Sequence, residues 1–170
     1  GFTLTFISCN KDNDVIEPTV NVELADELYT AEIFDEVVEI SDEAMDLYET
    51  QGLKTSGGQE RYSRLSDCVT ITKVITDSIK TTTIDFGEIN CLCNDGRERR
   101  GKIIVIHEGT YWDANALITI TFEEFYVDDN QVLGLKTIVQ SINAENQRVN
   151  TITVDGSVIL ADGTGTITWT

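Results

Sequence analysis

GKIIVIHEGTYWDANALITITFEEFYVDDNQVLGLKT, residues Gly101 to Thr137, decides the fold. It reads as three consecutive β-strands joined by turns. In the middle one Ile118, Ile120 and Phe122 share one face and Thr119 and Thr121 the other, the period of two expected of a strand buried on one side. The alternation slips at Glu123 and Glu124, amid Phe122, Phe125 and Tyr126, and a slip of that kind predicts a β-bulge. Ile103 to Ile106 is apolar on both faces, which predicts a central strand covered by a helix.

Working outward, Asp67 to Ile75 alternates as a strand and Thr81 to Phe86 reads as the next, followed by Gly87 to Gly101 as the longest loop of the β region. Downstream, Thr151 to Val154, Ser157 to Leu160 and Thr164 to Trp169 read as short strands. Their separators, Asp155-Gly156 and Asp162-Gly163, suit tight hairpins because both residue types tolerate positive φ. The pattern predicts a mainly β (α+β) protein, an antiparallel β meander forming a sandwich or partial barrel. From Val22 to about Thr50, Leu24, Leu28, Phe34, Val37, Val38, Met45 and Tyr48 recur largely at three- and four-residue steps, with carboxylates opposite. This is one acidic amphipathic helix packed on the sheet, or two broken near Ser41, where Ser41-Asp42-Glu43 suits an N-cap. Lys54 to Arg64, with its Gly-Gly pair, reads as a loop.

The charge is unevenly placed. Thirty acids face 12 bases for a net charge of -18, and from Asp12 to Leu53 there are 14 acids and no Lys or Arg. Such a field repels nucleic acid and anionic lipid, so no nucleic-acid partner is expected. No apolar run is long enough to span a membrane as a helix.

The first residues point to an address. GFTLTFIS is uncharged and precedes Cys9, and Phe6-Ile7-Ser8-Cys9 resembles a bacterial lipobox whose Cys becomes the lipidated first residue. Residues 1–9 are therefore expected to be a signal-peptide remnant with a lipobox, and 10–22 an acidic tether containing the single Pro18. Asn10-Lys11-Asp12-Asn13-Asp14 resembles the acidic export tag of Bacteroidota surface lipoproteins. Residues 23–170 read as one helix-plus-sheet domain whose carboxyl end, TGTITWT, stops within an alternating strand pattern as though cut.

Candidate site residues are few. Cys68, Cys91 and Cys93 are disulfide candidates: Cys68 with Cys91 or Cys93 closes a loop of about 25 residues, contributing about 3 kcal/mol. A three-sulfur metal site with His107 lacks a familiar zinc spacing, and free thiols are the third possibility. Arg97, Arg99, Arg100 and Lys102 form a basic patch that either pairs with the acidic helix or holds a small anion. His107, the single histidine, faces with Ile103 and Val105 and reads as a packed residue, with no nucleophile motif nearby. Neighbours in a strand point to opposite faces, which would separate Glu123 from Glu124. Asp128, Asp129 and Asn130 have the composition of a turn and lack the spacing of a calcium loop. Tyr111, Trp112 and Tyr126 are candidate ligand-binding aromatics. Asp77-Ser78-Ile79 resembles the Asp-Ser/Thr-aliphatic acceptor for O-glycosylation in the Bacteroidota, which makes Ser78 the candidate site.

Ile84 to Ile138 as a whole, through Asp85-Phe86-Gly87, Asp95-Gly96-Arg97, Arg100-Gly101-Lys102-Ile103 and Phe125-Tyr126-Val127, resembles a segment of Bacteroidota, especially flavobacterial, cell-envelope lipoproteins. The resemblance covers about a third of the chain. It implies a β-rich lipoprotein domain that typically continues past a Thr-Ile-Thr-Trp strand, and it supplies no catalytic residues. The expectation is a non-enzymatic binding or structural module without cofactor or metal, anchored by lipid at the outer membrane or cell surface, with a glycan or protein ligand. One alternative is an envelope glycan hydrolase using Glu123, Glu124 or Asp113. Another is an accessory subunit of an outer-membrane complex, docked through the edge at Thr164 to Thr170.

Overall fold

The computed structural model describes residues 22–50 and 64–170, with side chains described for 25–47 and 64–170. Cys9, the lipobox, the tether and most of the Lys54–Arg64 stretch lie outside the described residues. A helix, α1 (Val22–Thr50), precedes eight strands: β1 (Thr70–Thr76), β2 (Ile79–Asp85), β3 (Cys91–Leu92), β4 (Glu98–Glu108), β5 (Leu117–Val127), β6 (Asn130–Ile142), β7 (Arg148–Ile159) and β8 (Thr166–Trp169). All are antiparallel in one open sheet of order β1-β2-β4-β5-β6-β7-β8, and β3 pairs with the start of β4 beyond the end of β2. The helix touches β4, β7 and β8, so the sheet curves around it. The meander and its packed helix are as expected; the architecture is a partial barrel rather than a sandwich.

Helix α1 is continuous. Ser41, in place of starting a second helix, is buried and donates its hydroxyl back to the Val37 carbonyl at 2.7 Å. Ile33, Val37, Ile40 and Ala44 repeat at four- and three-residue steps and are all buried, with Phe34 and Met45 beside them. Against them lie the alternating inward residues of the sheet: Ile84, Ile103, Val105, Ile118, Ile120, Val132, Ile138 and Val158. Aromatic rings run across this interior. Phe34 meets Phe122 edge-on at 6.0 Å, Phe122 stacks on Phe125 at 5.6 Å, and Phe86 lies 5.7 Å from Phe125.

Two sequence expectations need correction. The Gly87–Gly101 segment is not one long loop, because β3 forms a hairpin with β4 through Asn94-Asp95-Gly96, and β4 begins at Glu98. Asp155-Gly156 is not a turn either; both residues lie inside the continuous strand β7. Gly156 provides clearance instead of a bend: a Cβ there would lie 2.2 Å from the Phe34 ring and 2.9 Å from the Leu133 carbonyl. Asp162-Gly163 does turn the chain between β7 and β8, with Gly163 at φ 74°.

Charged groups join the helix to the sheet. Arg99, 1% exposed, reaches inward from β4 to Glu36, itself 6% exposed, and to Asp95 at 2.6 Å. Beside it Arg97 pairs with Glu32 at 2.7 Å and Glu36 at 3.3 Å. Lys136, buried on β6, donates to the Phe34 carbonyl at 2.7 Å, and the Tyr111 hydroxyl donates to Asp42 at 2.7 Å. One turn beyond Glu36, Arg64 pairs with Glu39. Burial lowers the Arg99 pKa to about 10, so the guanidinium is still charged at neutral pH.

Replacing Arg99→Met leaves the Glu36 carboxylate buried beside Arg97 alone and is expected to cost about 3–5 kcal/mol by urea denaturation. Adding Glu36→Gln should restore part of that loss. Gly156→Ala drives a methyl group into a fixed aromatic ring and is expected to cost about 2 kcal/mol. In a Phe34→Leu background the same change should cost clearly less, which a double-mutant cycle of unfolding midpoints measures.

Candidate functional site

The slip at Glu123 and Glu124 is a bulge. The β4–β5 register shifts between Arg100 and Lys102, and the β5–β6 register between Thr121 and Tyr126. Glu124 adopts φ 46°, and Gly101 opposite it has φ 81°. A Cβ on Gly101 would fall 1.8 Å from the Glu124 carbonyl oxygen, so only glycine fits against the bulged backbone.

On the outer side of this bulge is a cleft of about 500 Å³, lined by Asp85, Glu88, Arg100, Lys102, Glu123, Glu124 and Tyr126, with Gly87 and Gly101 at its base. Strand β2 brings Asp85, whose carboxylate accepts from the Gly87 amide at 2.8 Å. Strand β4 brings Arg100, stacked 3.8 Å over the Tyr126 ring and bonded to Asn90 at 2.7 Å and to Asp129. Lys102 meets Glu123 at 3.1 Å, and the Tyr126 hydroxyl lies 3.4 Å from Glu124. Contrary to the separation expected of neighbouring strand residues, Glu123 and Glu124 are both exposed and line the same cleft. The extra residue of the bulge is the reason.

The basic patch is divided by the sheet. Arg97 and Arg99 meet the helix carboxylates, whereas Arg100 and Lys102 face the outer cleft. One part ties the helix to the sheet, the other lines the cleft. Asp128 and Asp129 form the β5–β6 turn, both with positive φ. Their carboxylates accept from Arg97 and the Glu98 amide, and from Arg100 and Asn90. Among the described residues no group of three or more His, Cys, Asp or Glu is placed to hold a metal ion.

The aromatic candidates separate too. Tyr111 is 2% exposed, so it belongs to the core and offers no contact surface; its ring stands edge-on to His107 at 5.4 Å and to Trp112 at 4.7 Å. Trp112 is partly buried against the same cluster. Tyr126 borders the outward cleft. Asp113, in the segment between β4 and β5, accepts from the Thr110 amide at 3.1 Å and is remote from the glutamates in the fold. Ser78 sits exposed in the β1–β2 turn and donates to Glu108 at 2.7 Å. Cys68 and Cys91 are disulfide-bonded, with Cα atoms 6.1 Å apart, tying the turn before β1 to β3. Cys93 is free and buried, and burial together with nearby Asp95 pushes its thiol up to about 11.

His107 faces inward and is 2% exposed, with neither ring nitrogen hydrogen-bonded by geometry. Burial, then Lys73 and Lys80, hold its pKa below the ordinary 6.5. The unfolded chain therefore binds the proton first. The stability contributed by the neutral ring is complete above the unfolded pKa of 6.5 and is lost as pH falls toward the folded value. Asp42, raised above 3.8 by burial, acts in the opposite sense at lower pH. The melting temperature is accordingly expected to fall as pH drops below 6.5, and His107→Gln should flatten that slope.

No family model, curated protein or solved structure matches this chain significantly.

Proposed function

We propose that this chain is a lipid-anchored, non-catalytic binding module of the bacterial cell envelope, which takes a glycan in the cleft over the β5 bulge. Anchoring follows from the lipobox-like Phe6-Ile7-Ser8-Cys9 and from the resemblance of residues 84–138 to Bacteroidota envelope lipoproteins. Two acyl chains on Cys9 would hold the domain at the outer membrane or cell surface. No cofactor is called for.

The single observation that carries the binding reading is the composition of the cleft. An aromatic ring, a guanidinium, an ammonium and four carboxylates converge within about 500 Å³, all on the solvent side of a rigid sheet. Such groups make paired hydrogen bonds to sugar hydroxyls. Lys102 pairs with Glu123 inside the cleft and Arg100 with Asp129 at its margin. Exposed pairs are worth about 0–1 kcal/mol each, so a ligand displaces them at little cost.

A hydrolase reading also has an observation in its favour, since Glu123 and Glu124 share this cleft. Against it, a general acid needs a carboxyl shielded from water. Glu123 is 57% exposed in its side chain and held by Lys102.

One experiment separates the readings. On a glycan array, Tyr126→Ala is expected to weaken binding at least about 10-fold, with Glu124→Gln lowering it by less. Product release from a bound glycan that stops in Glu124→Gln would instead establish a hydrolase. Binding to none of the glycans, alongside capture of a peptide that Tyr126→Ala abolishes, would move the ligand class to protein.

A further inference from the structure

We infer that the cavity between α1 and strands β6 to β8 binds a small monocarboxylate with an apolar body, held by the buried ammonium of Lys136. The cavity measures about 380 Å³, and its walls include Ala31, Phe34, Asp35, Lys136, Val154 and Trp169. Ala31, Phe34 and Asp35 come from one face of α1, at three- and four-residue steps. Lys136 on β6 pairs with Val154 on β7, and β8 sets Trp169 opposite Gly156, two residues further along β7. The three side chains therefore share the inner side of the sheet. The cleft at the bulge lies on the outer side, so the two sites are separate.

The charge in the wall carries the inference. Among the described residues Arg99 and Lys136 are the buried cations. Arg99 is answered by two carboxylates that are themselves shielded, Glu36 at 6% exposure and Asp95 at 14%. Lys136, 1% exposed, pairs instead with Asp35, which is 81% exposed and 3.4 Å away. Its shorter bond, 2.7 Å, goes to the neutral Phe34 carbonyl. A desolvated ammonium gains most from an anion desolvated with it, and that partner is what Lys136 lacks. Burial holds its pKa below the ordinary 10.5, and Asp35 acts against that shift, as a second carboxylate would.

The walls and the overall charge select the rest of the ligand. Phe34, Val154 and Trp169 are apolar, so the body behind the carboxylate is a single ring or a short acyl chain. The volume falls near the lower end of the roughly 300–1,000 Å³ of small-molecule sites, which suits a body of that size. The net charge of -18 repels anions at long range, and this favours one carboxylate over a phosphate or a dicarboxylate. Asp35 is exposed and at the long limit of a hydrogen bond, so it gives up its place on Lys136 at little cost.

Isothermal titration calorimetry on the full 170-residue chain tests this with probes that share one body: phenylacetate, phenylethanol and phenethylamine. Phenylacetate is expected to bind at least about 10-fold tighter than the alcohol or the amine, the discrimination of one shielded charge-assisted hydrogen bond. Lys136→Met keeps the length of the side chain and removes its charge, so it should erase that preference with an unchanged circular dichroism spectrum. Ala31→Trp leaves Lys136 in place and fills the cavity from the helix, and it should weaken phenylacetate at least about 10-fold. A wild-type chain that binds no phenylacetate at millimolar concentrations overturns the inference, as does one that binds the acid and the alcohol alike. So does a folded Lys136→Met variant that keeps the preference, or a folded Ala31→Trp variant with unchanged affinity.

Discussion

The contact on which the rest of this structure depends is the buried pairing of Arg99 with Glu36. An acidic helix carrying Asp and Glu along most of its length has no cation of its own to neutralise it. Among its described acids Glu36 lies at the margin of the apolar stripe and is buried when the helix docks on the sheet. Arg99 resolves this by reaching inward from β4, with Asp95 at 2.6 Å supplying a second carboxylate to the guanidinium. A buried ion pair is at best a modest source of net stability, because desolvation offsets most of the attraction. What it does supply is position: only one placement of the helix satisfies Glu36 while Phe34 sits over Gly156 and the Phe34 carbonyl meets Lys136.

That constraint explains which parts of the fold were legible in the sequence. Alternation over two residues and recurrence over three to four are local properties, so β4, β5, β6 and the helix could be read from neighbouring residues alone. The bulge was visible as a break in parity at Glu123. Asp155-Gly156 was misread because Asp-Gly has the composition of a turn, while the actual reason for the glycine is a phenyl ring on a helix more than 120 residues earlier in the chain. Tyr111 was misjudged for a related reason. It lies in the short irregular segment between β4 and β5, where no periodicity reports the inward direction, and its burial depends on Asp42 accepting its hydroxyl. The choice between Cys91 and Cys93 likewise depends on how β3 folds back along β4, which two cysteines two positions apart do not announce.

The candidate site was half legible. Arg100, Lys102, Glu123, Glu124 and Tyr126 were singled out, Asp85 and Glu88 were not, and the grouping depends on which side of the sheet each one faces. Four basic residues within six positions look like one patch in the sequence. In the fold, Arg97 and Arg99 serve the interior, and Arg100 and Lys102 serve the cleft. Gly101 lies between Arg100 and Lys102, so both keep to the outer side where regular alternation would also place them, while the backbone yields to the bulge opposite.

The bulge itself then decides both the core and the cleft. Continuing the parity of Ile118, Ile120 and Phe122 would send Glu124 and Tyr126 into the interior and Phe125 and Val127 out to water. A carboxylate in the aromatic cluster would be left without a cation, at a cost of several kcal/mol. Inserting one residue with a left-handed Glu124 reverses the parity: Phe125 and Val127 become fully buried, and Tyr126 comes outward beneath Arg100. The same local irregularity therefore completes the hydrophobic core on one side and gathers the polar cleft on the other. It also divides the outer face, because the strand positions beyond it carry glutamates where those before it carry threonines. A sheet that is regular up to residue 122 and bulged after it thus has two distinct outer surfaces, one lined along β5 by threonines and one suited to polar recognition, and a single backbone distortion sets the boundary between them.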